Sequence, residues 1–374
     1  MSPSAVSTTP PQAVVPGNPD LGADAVKHKL AGIATNGTVA PLDASKLTST
    51  YTTTPRDVPA LDDPVRNGSS FATDHMITCT WRAETGWETP ELKPFGPFSI
   101  MPTASVLHYA TECFEGLKAY RGYDGKLRLF RPDCNAKRLL VSSARIALPT
   151  FEPEEVEKLI KALMAVDAAK FLPASQPGKF LYLRPTLIGT FPELGVQHPR
   201  EAMLFIIATY MPDLDSTPGG MKLLASQQDT VRAWPGGFGF AKVGANYGPS
   251  LMAQAEARRL GYNQVLWLLG DDAQVTEAGA SNFFTLMRNQ AGKLELVTAP
   301  LGNKVILDGV TRRSVIQLVK ERLAESKDLE PVTVVERQYT MSEIVAASEE
   351  GRLVECFACG TAVSTFLILM SFRS

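Results

Sequence analysis

Ala241-Lys-Val-Gly-Ala-Asn-Tyr-Gly-Pro-Ser250 is followed by Thr276-Glu-Ala-Gly-Ala-Ser-Asn-Phe-Phe284, whose glutamate comes thirty-five residues after the lysine. Each segment sets one ionisable group, the Lys242 amine or the Glu277 carboxylate, among glycines and small apolar residues. Such surroundings offer no counter-charge and let a flat ligand approach the backbone. A carboxylate held there calls for a cationic partner. An amine and a carboxylate at the two ends of one slot are what an aromatic aldehyde cofactor requires. The amine adds to the aldehyde, and the carboxylate holds a ring nitrogen as a pyridinium, which makes the ring an electron sink. Tyr247, just ahead of a helix-like stretch, could bind a phenolate oxygen or simply pack as an aromatic.

Working outward, Leu307-Asp-Gly-Val-Thr311 opens an amphipathic stretch running to Glu325. Gly309 frees the turn, and Val310 and Thr311 offer N–H groups at the positive end of a helix, where an anion can bind. Helix capping is the competing reading. Arg138 could supply a cation to the same anion or could lie on a solvated helix face. Met76–Trp81 and Lys126–Phe130 alternate as strands, with a hairpin turn at Tyr123-Asp-Gly-Lys126. Arg131–Val141 and Glu152–Phe171 read as helices, the second with Val156, Leu159, Ile160, Leu163 and Val166 on one face. Phe180–Arg184 and Ala202–Ala208 read as strands, and the second is apolar throughout, which implies burial on both faces. Met221–Ala225 and Gln264–Leu269 are further strands, Pro249–Leu260 is a helix, and Phe283–Met287 pairs with Leu294–Val297.

The 374 residues are too many for one ordinary core, so two domains are expected. Apolar residues make up 44% and charged residues 20%, a globular composition. A net charge of −2 gives no electrostatic case for binding nucleic acid or anionic membrane. Five cysteines in so long a chain do not form a disulfide framework. None of the four histidines is spaced as a metal site, so no metal is expected. No apolar run reaches the roughly 18–20 residues of a spanning helix. The first basic residue is Lys27 and the first arginine Arg56, so a cytoplasmic location is expected, with the mitochondrion left open.

Several longer stretches carry a resemblance: Phe71-Ala-Thr-Asp-His-Met76, Leu107-His-Tyr-Ala-Thr-Glu-Cys-Phe-Glu-Gly-Leu-Lys-Ala-Tyr120, Leu129-Phe-Arg-Pro132, Leu181-Tyr-Leu-Arg-Pro-Thr-Leu-Ile-Gly189, Gln264-Val-Leu-Trp267 and Gly309-Val-Thr-Arg312. With the lysine and glutamate segments they resemble the branched-chain amino-acid aminotransferases, fold-type IV enzymes that use pyridoxal 5′-phosphate, in the eukaryotic, fungal-like branch. The resemblance implies a mixed α/β (α+β) chain of two domains. A disordered extension (residues 1–60) precedes a small N-terminal α/β domain (61–212), a linker (213–220), and a larger C-terminal pseudo-barrel domain (221–374).

The resemblance also implies roles. Lys242 is then the Schiff-base lysine and proton shuttle, Glu277 the partner of the pyridine nitrogen, and Tyr247 the ligand of the phenolate oxygen. Arg138, Val310, Thr311 and Thr361 form the phosphate cup. Tyr109, Phe114, Tyr182 and Val196 line an apolar side-chain pocket, Arg184 orients the substrate, and Thr361 and Ala362 meet its carboxylate. The reaction is a ping-pong exchange of amino groups between Leu, Ile or Val and 2-oxoglutarate, in a homodimer. A D-amino-acid transaminase or an aminodeoxychorismate lyase would share the lysine and glutamate, and an inactive cofactor-binding subunit stays open.

Three features depart from the family pattern. Ala280 stands where a threonine follows the Glu-x-Gly motif. Cys356-Phe-Ala-Cys359 invites a redox or metal reading, yet the redox pair of mammalian relatives falls after the Gly-Thr-Ala turn, where this chain has Val363 and Phe366. The tail after Gly360-Thr-Ala362 matches no family continuation, and the C-terminal part is expected to be truncated.

Overall fold

The computed structural model describes residues 39–212, 220–361 and 365–367. The first 38 residues of the expected extension, residues 213–219 of the expected linker, and Ala362 lie outside the described residues.

The first sheet uses β1 (Thr48–Ser49), β2 (His75–Arg82), β3 (Gly86–Trp87), β4 (Glu91–Pro94), β5 (Glu112–Phe114), β6 (Leu117–Arg121), β7 (Leu127–Leu129), β8 (Phe180–Gly189) and β9 (Glu201–Thr209). Its order is β1-β4-β2-β9-β8-β6-β7, with β3 on β2 and β5 on β8. Three helices accompany it: α1 (Ser105–Tyr109), α2 (Pro132–Arg145) and α3 (Pro153–Phe171). Helix α3 begins with Pro153 and carries Glu154 and Glu155 in its first turn, where a fixed φ and negative charge both suit a helix N-terminus. Leu159, Ile160 and Leu163 of its apolar face are fully buried against the sheet core. Each such side chain contributes about 1.5–3 kcal/mol on burial.

Two expectations change here. Residues 39–60, expected as part of a disordered extension, dock on this sheet instead. Leu42 is buried, β1 pairs in parallel with β4, and Ala44 N–H donates to Glu155 at 2.7 Å. Thr52 N–H donates to His75 at 3.0 Å and Arg56 N–H to Asp74 at 2.8 Å. Leu42, with Ala44 and Leu47 packed beside the core, and these backbone donors together hold the strap. Strand β9, expected to be buried on both faces, alternates: Ala202, Leu204, Ile206 and Ala208 are buried and the residues between them are half-buried.

The second sheet uses β10 (Leu223–Ala225), β11 (Gln264–Leu269), β12 (Gln274–Ala278), β13 (Ser281–Arg288), β14 (Leu294–Thr298), β15 (Val332–Glu336), β16 (Leu353–Cys359) and β17 (Thr365–Leu367), in the order β10-β11-β12-β13-β14-β15, with β16 on β13 and β17 on β16. Helices α4 (Ser250–Arg259), α5 (Val310–Arg322) and α6 (Met341–Glu349) belong to this half. Strand β13 pairs with three neighbours, β12, β14 and β16, so its residues anchor the whole sheet. The tail beyond residue 361 contributes β17, which pairs antiparallel with β16. Among the described residues no helix is long and apolar enough to cross a membrane.

Candidate active site

Lys242 lies on a coil where the two halves meet. Its carbonyl accepts the Phe114 N–H at 3.1 Å, and its own N–H donates to Ser142 Oγ at 2.8 Å. A bridge between Cys113 and Val243 completes the clamp to β5. Fixed this way, Nζ donates to the Tyr247 hydroxyl at 2.9 Å and lies 4.7 Å from the centre of the Phe114 ring.

Glu277 is on β12, two residues before the Gly279–Ala280 turn into β13. Gly279 has φ +56°, in the left-handed region that favours glycine, and a Cβ there would come within 2.4 Å of the Gln264 side-chain oxygen. The turn sets Glu277 opposite Asn282. Glu277 Oε1 accepts from Leu307 N–H at 3.1 Å and from Asn282 Nδ2 at 3.2 Å. Oε2 lies 2.6 Å from Arg232 NH1, close for an ion pair, but the two are not aligned as a hydrogen bond, and Oε2 has no hydrogen-bond partner among the described residues. Burial pushes the Glu277 carboxyl above its ordinary value; Arg232 and the Leu307 N–H pull it back.

Helix α5 starts at Val310 with Gly309 as its cap, and no side chain closes that end. A helix start leaves its first N–H groups without partners inside the helix. Beside it, Arg138 Nε and NH2 donate to the two carboxylate oxygens of buried Glu115, each at 2.7 Å, and NH1 donates to the Asp308 carbonyl at 2.9 Å. This fork fixes the guanidinium plane.

One cavity of about 350 Å³ gathers these groups. Lys242, Tyr247, Glu277, Arg138, Val310, Thr311 and Thr361 all line it. So do Phe114, Tyr182 and Arg184. The Arg184 guanidinium lies 4.6 Å from the Phe114 ring centre and 5.2 Å from that of Tyr182.

Residues 112–365 match the class IV aminotransferase family. The cytosolic branched-chain-amino-acid aminotransferase of Saccharomyces cerevisiae is 47% identical over 87% of this chain and 84% of that protein. The chain belongs to the branched-chain aminotransferase family. The mitochondrial enzyme of that name from Schizosaccharomyces pombe is 43% identical over 86% of this chain and 73% of that protein, so relatives occupy both compartments. Among solved structures, a T.th. branched-chain amino acid aminotransferase complexed with N-(5′-phosphopyridoxyl)-L-glutamate matches with TM-score 0.58 and 25% identity, covering 78% of this chain and 84% of that one.

Class IV aminotransferases use pyridoxal 5′-phosphate, and the cavity of this chain fits it. Buried Glu277 Oε2 is open to a ring N–H, the start of α5 suits a phosphate, and Lys242 reaches into the space between them. Gly309 leaves room there: a Cβ on it would come within 2.0 Å of Asn282 Oδ1, the residue that braces Glu277. Gly309→Ala is therefore expected to destabilise the protein by about 1–3 kcal/mol through overpacking and to weaken cofactor binding, read by melting temperature and by cofactor titration.

Not every expected residue of this chain lines the cavity. Tyr109 on α1 and Val196 are absent from its wall and stand 40% and 92% exposed on this chain. Cys356 and Cys359 do not form a redox pair. Three residues apart on β16, they face opposite sides about 10 Å apart, beyond disulfide reach, and they belong to two different core clusters. Burial pushes both thiols up to about 12. The sequence reading missed Arg232, Glu115 and Asn282. Glu115 was open to discovery, since it follows Phe114 in a stretch already singled out. Arg232 has no local signal, because its pairing with Glu277 exists only in the folded chain.

Proposed function

We propose that this chain moves amino groups between branched-chain L-amino acids and 2-oxoglutarate, using Lys242 as the proton-transferring base. The observation that carries the reading is the convergence of the Lys242 amine, the open oxygen of Glu277 and the bare start of α5 on one cavity with an aromatic wall. Pyridoxal 5′-phosphate, when bound, supplies an electron-withdrawing ring next to the substrate's α-carbon. Glu277 and Tyr247 would hold its ring nitrogen and phenolate oxygen, and Arg138, Val310, Thr311 and Thr361 its phosphate.

Lys242 Nζ would take the proton from the substrate α-carbon, held for that task by a backbone clamped on both sides. The Tyr247 hydroxyl, 2.9 Å from Nζ, orients the amine. Phe114 and Tyr182 supply apolar surface for a leucine, isoleucine or valine side chain, which gains about 1.5–3 kcal/mol on burial. Arg184 and the Tyr182 hydroxyl serve the distal carboxylate of glutamate and 2-oxoglutarate, and Thr361 serves the α-carboxylate. Tyr109 and Val196 are exposed on this chain, as are Met101, Leu107 and Leu194; a homodimer that covered them would share pocket walls between its subunits.

The holoprotein mixed with L-leucine should lose its aldehyde-form absorbance and regain it on adding 2-oxoglutarate. No spectral change with L-leucine, but one with D-alanine, would replace this reading by a D-amino-acid transaminase.

A further inference from the structure

Arg184 is under-satisfied in the cavity. Its Nε is buried without a hydrogen-bond partner among the described residues, and its contact with the Tyr182 hydroxyl is long, at 3.3 Å. Glu112 stands on the same face of the sheet as Arg184, paired opposite Ile188, and is a carboxylate on which that arginine's charge acts. It lies two residues from Phe114 on β5, so both side chains leave the same face of the strand. The Phe114 ring lies under the Arg184 guanidinium. Glu112 Oε2 rests over Gly244, close enough that a Cβ there would approach to 2.3 Å, which sets the carboxyl against the segment that carries Lys242. Its side chain makes no hydrogen bond or ion pair among the described residues. Burial holds its carboxyl above the usual range, and Arg184 pulls it back.

The other charged groups packed around β5 are engaged elsewhere. Arg138 and Glu115 bind each other, Lys242 donates to Tyr247, and Cys113 faces the apolar core. His108 on α1 is directed to the Pro102 carbonyl. We infer that Glu112 is a specificity-determining residue: its carboxylate balances Arg184 when a neutral branched side chain fills the cavity, and it takes up a proton when a substrate's distal carboxylate claims that arginine. One cavity can then accept both an apolar and an acidic substrate without leaving Arg184 unpaired with the first or crowding two carboxylates with the second. The inference rests on the proposed transamination and names the device that lets its two substrates share a pocket.

Glutarate and 4-methylvalerate are unreactive and differ only at the distal end, a carboxylate against a branched apolar group. Their dissociation constants from the holoenzyme are read from the cofactor absorbance between pH 6 and 8. Titrations common to both ligands cancel in the ratio. In the unaltered chain, glutarate should weaken relative to 4-methylvalerate by about tenfold per unit of pH where Glu112 ionises. Glu112→Gln should flatten the ratio and hold it at its low-pH value, and Glu112→Asp should restore a slope. The same slope in Glu112→Gln as in the unaltered chain, or a flat ratio in both, overturns the inference. Leucine turnover with 2-oxoglutarate is assayed alongside: if it is absent in the unaltered chain, the proposed function falls, and this inference with it. If turnover is present and the ratio does not respond to Glu112, only the inference falls.

Discussion

Lys242→Ala lowers kcat for L-leucine with 2-oxoglutarate by at least about 10⁴-fold, because one side chain supplies both the covalent hold on the cofactor and the proton-transferring base. The loss should appear in kcat rather than in substrate affinity, since the walls that hold the substrate, Phe114, Tyr182 and Arg184, are untouched. Adding L-leucine to the variant loaded with cofactor should leave its absorbance unchanged over the time in which the unaltered chain converts fully. The fold itself should survive. The backbone bonds that fix residue 242, from Phe114 and to Ser142, do not involve its side chain. A variant that retained more than a hundredth of the rate would show that another group moves the proton.

Arg232→Met removes the partner of a buried carboxylate. Glu277 and Arg232 are both almost wholly buried at their side chains. Loss of one member of such a pair costs about 3–5 kcal/mol when the other stays charged. The pH dependence follows from Glu277, whose carboxyl is already raised above its ordinary 4.5 by burial and partly restored by Arg232. A carboxyl raised in the folded state contributes stability below the unfolded value, and this is lost as pH rises through the folded value. Without Arg232 the folded value climbs further, so the loss is larger and extends to higher pH. Urea denaturation of the cofactor-free protein should therefore show a small difference between variant and unaltered chain near pH 4.5–5 and the full penalty near pH 8. The double variant Arg232→Met with Glu277→Gln should recover most of the stability at pH 8, because no unpaired charge is left, while its catalysis stays poor. A penalty independent of pH would mean that Arg232 acts by packing alone.

Residues whose role depends on short-range sequence were legible, and those set by long-range contact were not. Lys242 and Tyr247 are five apart on one clamped coil, and Glu277 is two residues from a left-handed turn at Gly279. Small neighbours announced both segments. Arg232 stands in Asp229-Thr-Val-Arg-Ala-Trp234, an ordinary stretch, and its partner is supplied by a strand end brought near in the folded chain. Tyr109 and Val196 illustrate the opposite case. Their family likeness pointed to a pocket wall, yet within this chain both are exposed and neither lines the cavity. The strap at residues 39–60 has few apolar anchors, Leu42 chief among them, and its main-chain hydrogen bonds leave no side-chain pattern; Met203, Phe205 and Ile207 are apolar on the half-covered face of β9, so its sequence looks doubly buried. Cys356 and Cys359 carried a suggestive spacing that the extended geometry of β16 cancels.

The most direct test is a crystal structure of the chain loaded with pyridoxal 5′-phosphate. Density joining Lys242 Nζ to the cofactor, with the pyridine nitrogen in hydrogen-bond reach of Glu277 Oε2 and the phosphate at the start of α5, is the expected result. A cofactor bound with its ring nitrogen turned away from Glu277, or Lys242 left unattached, would contradict it.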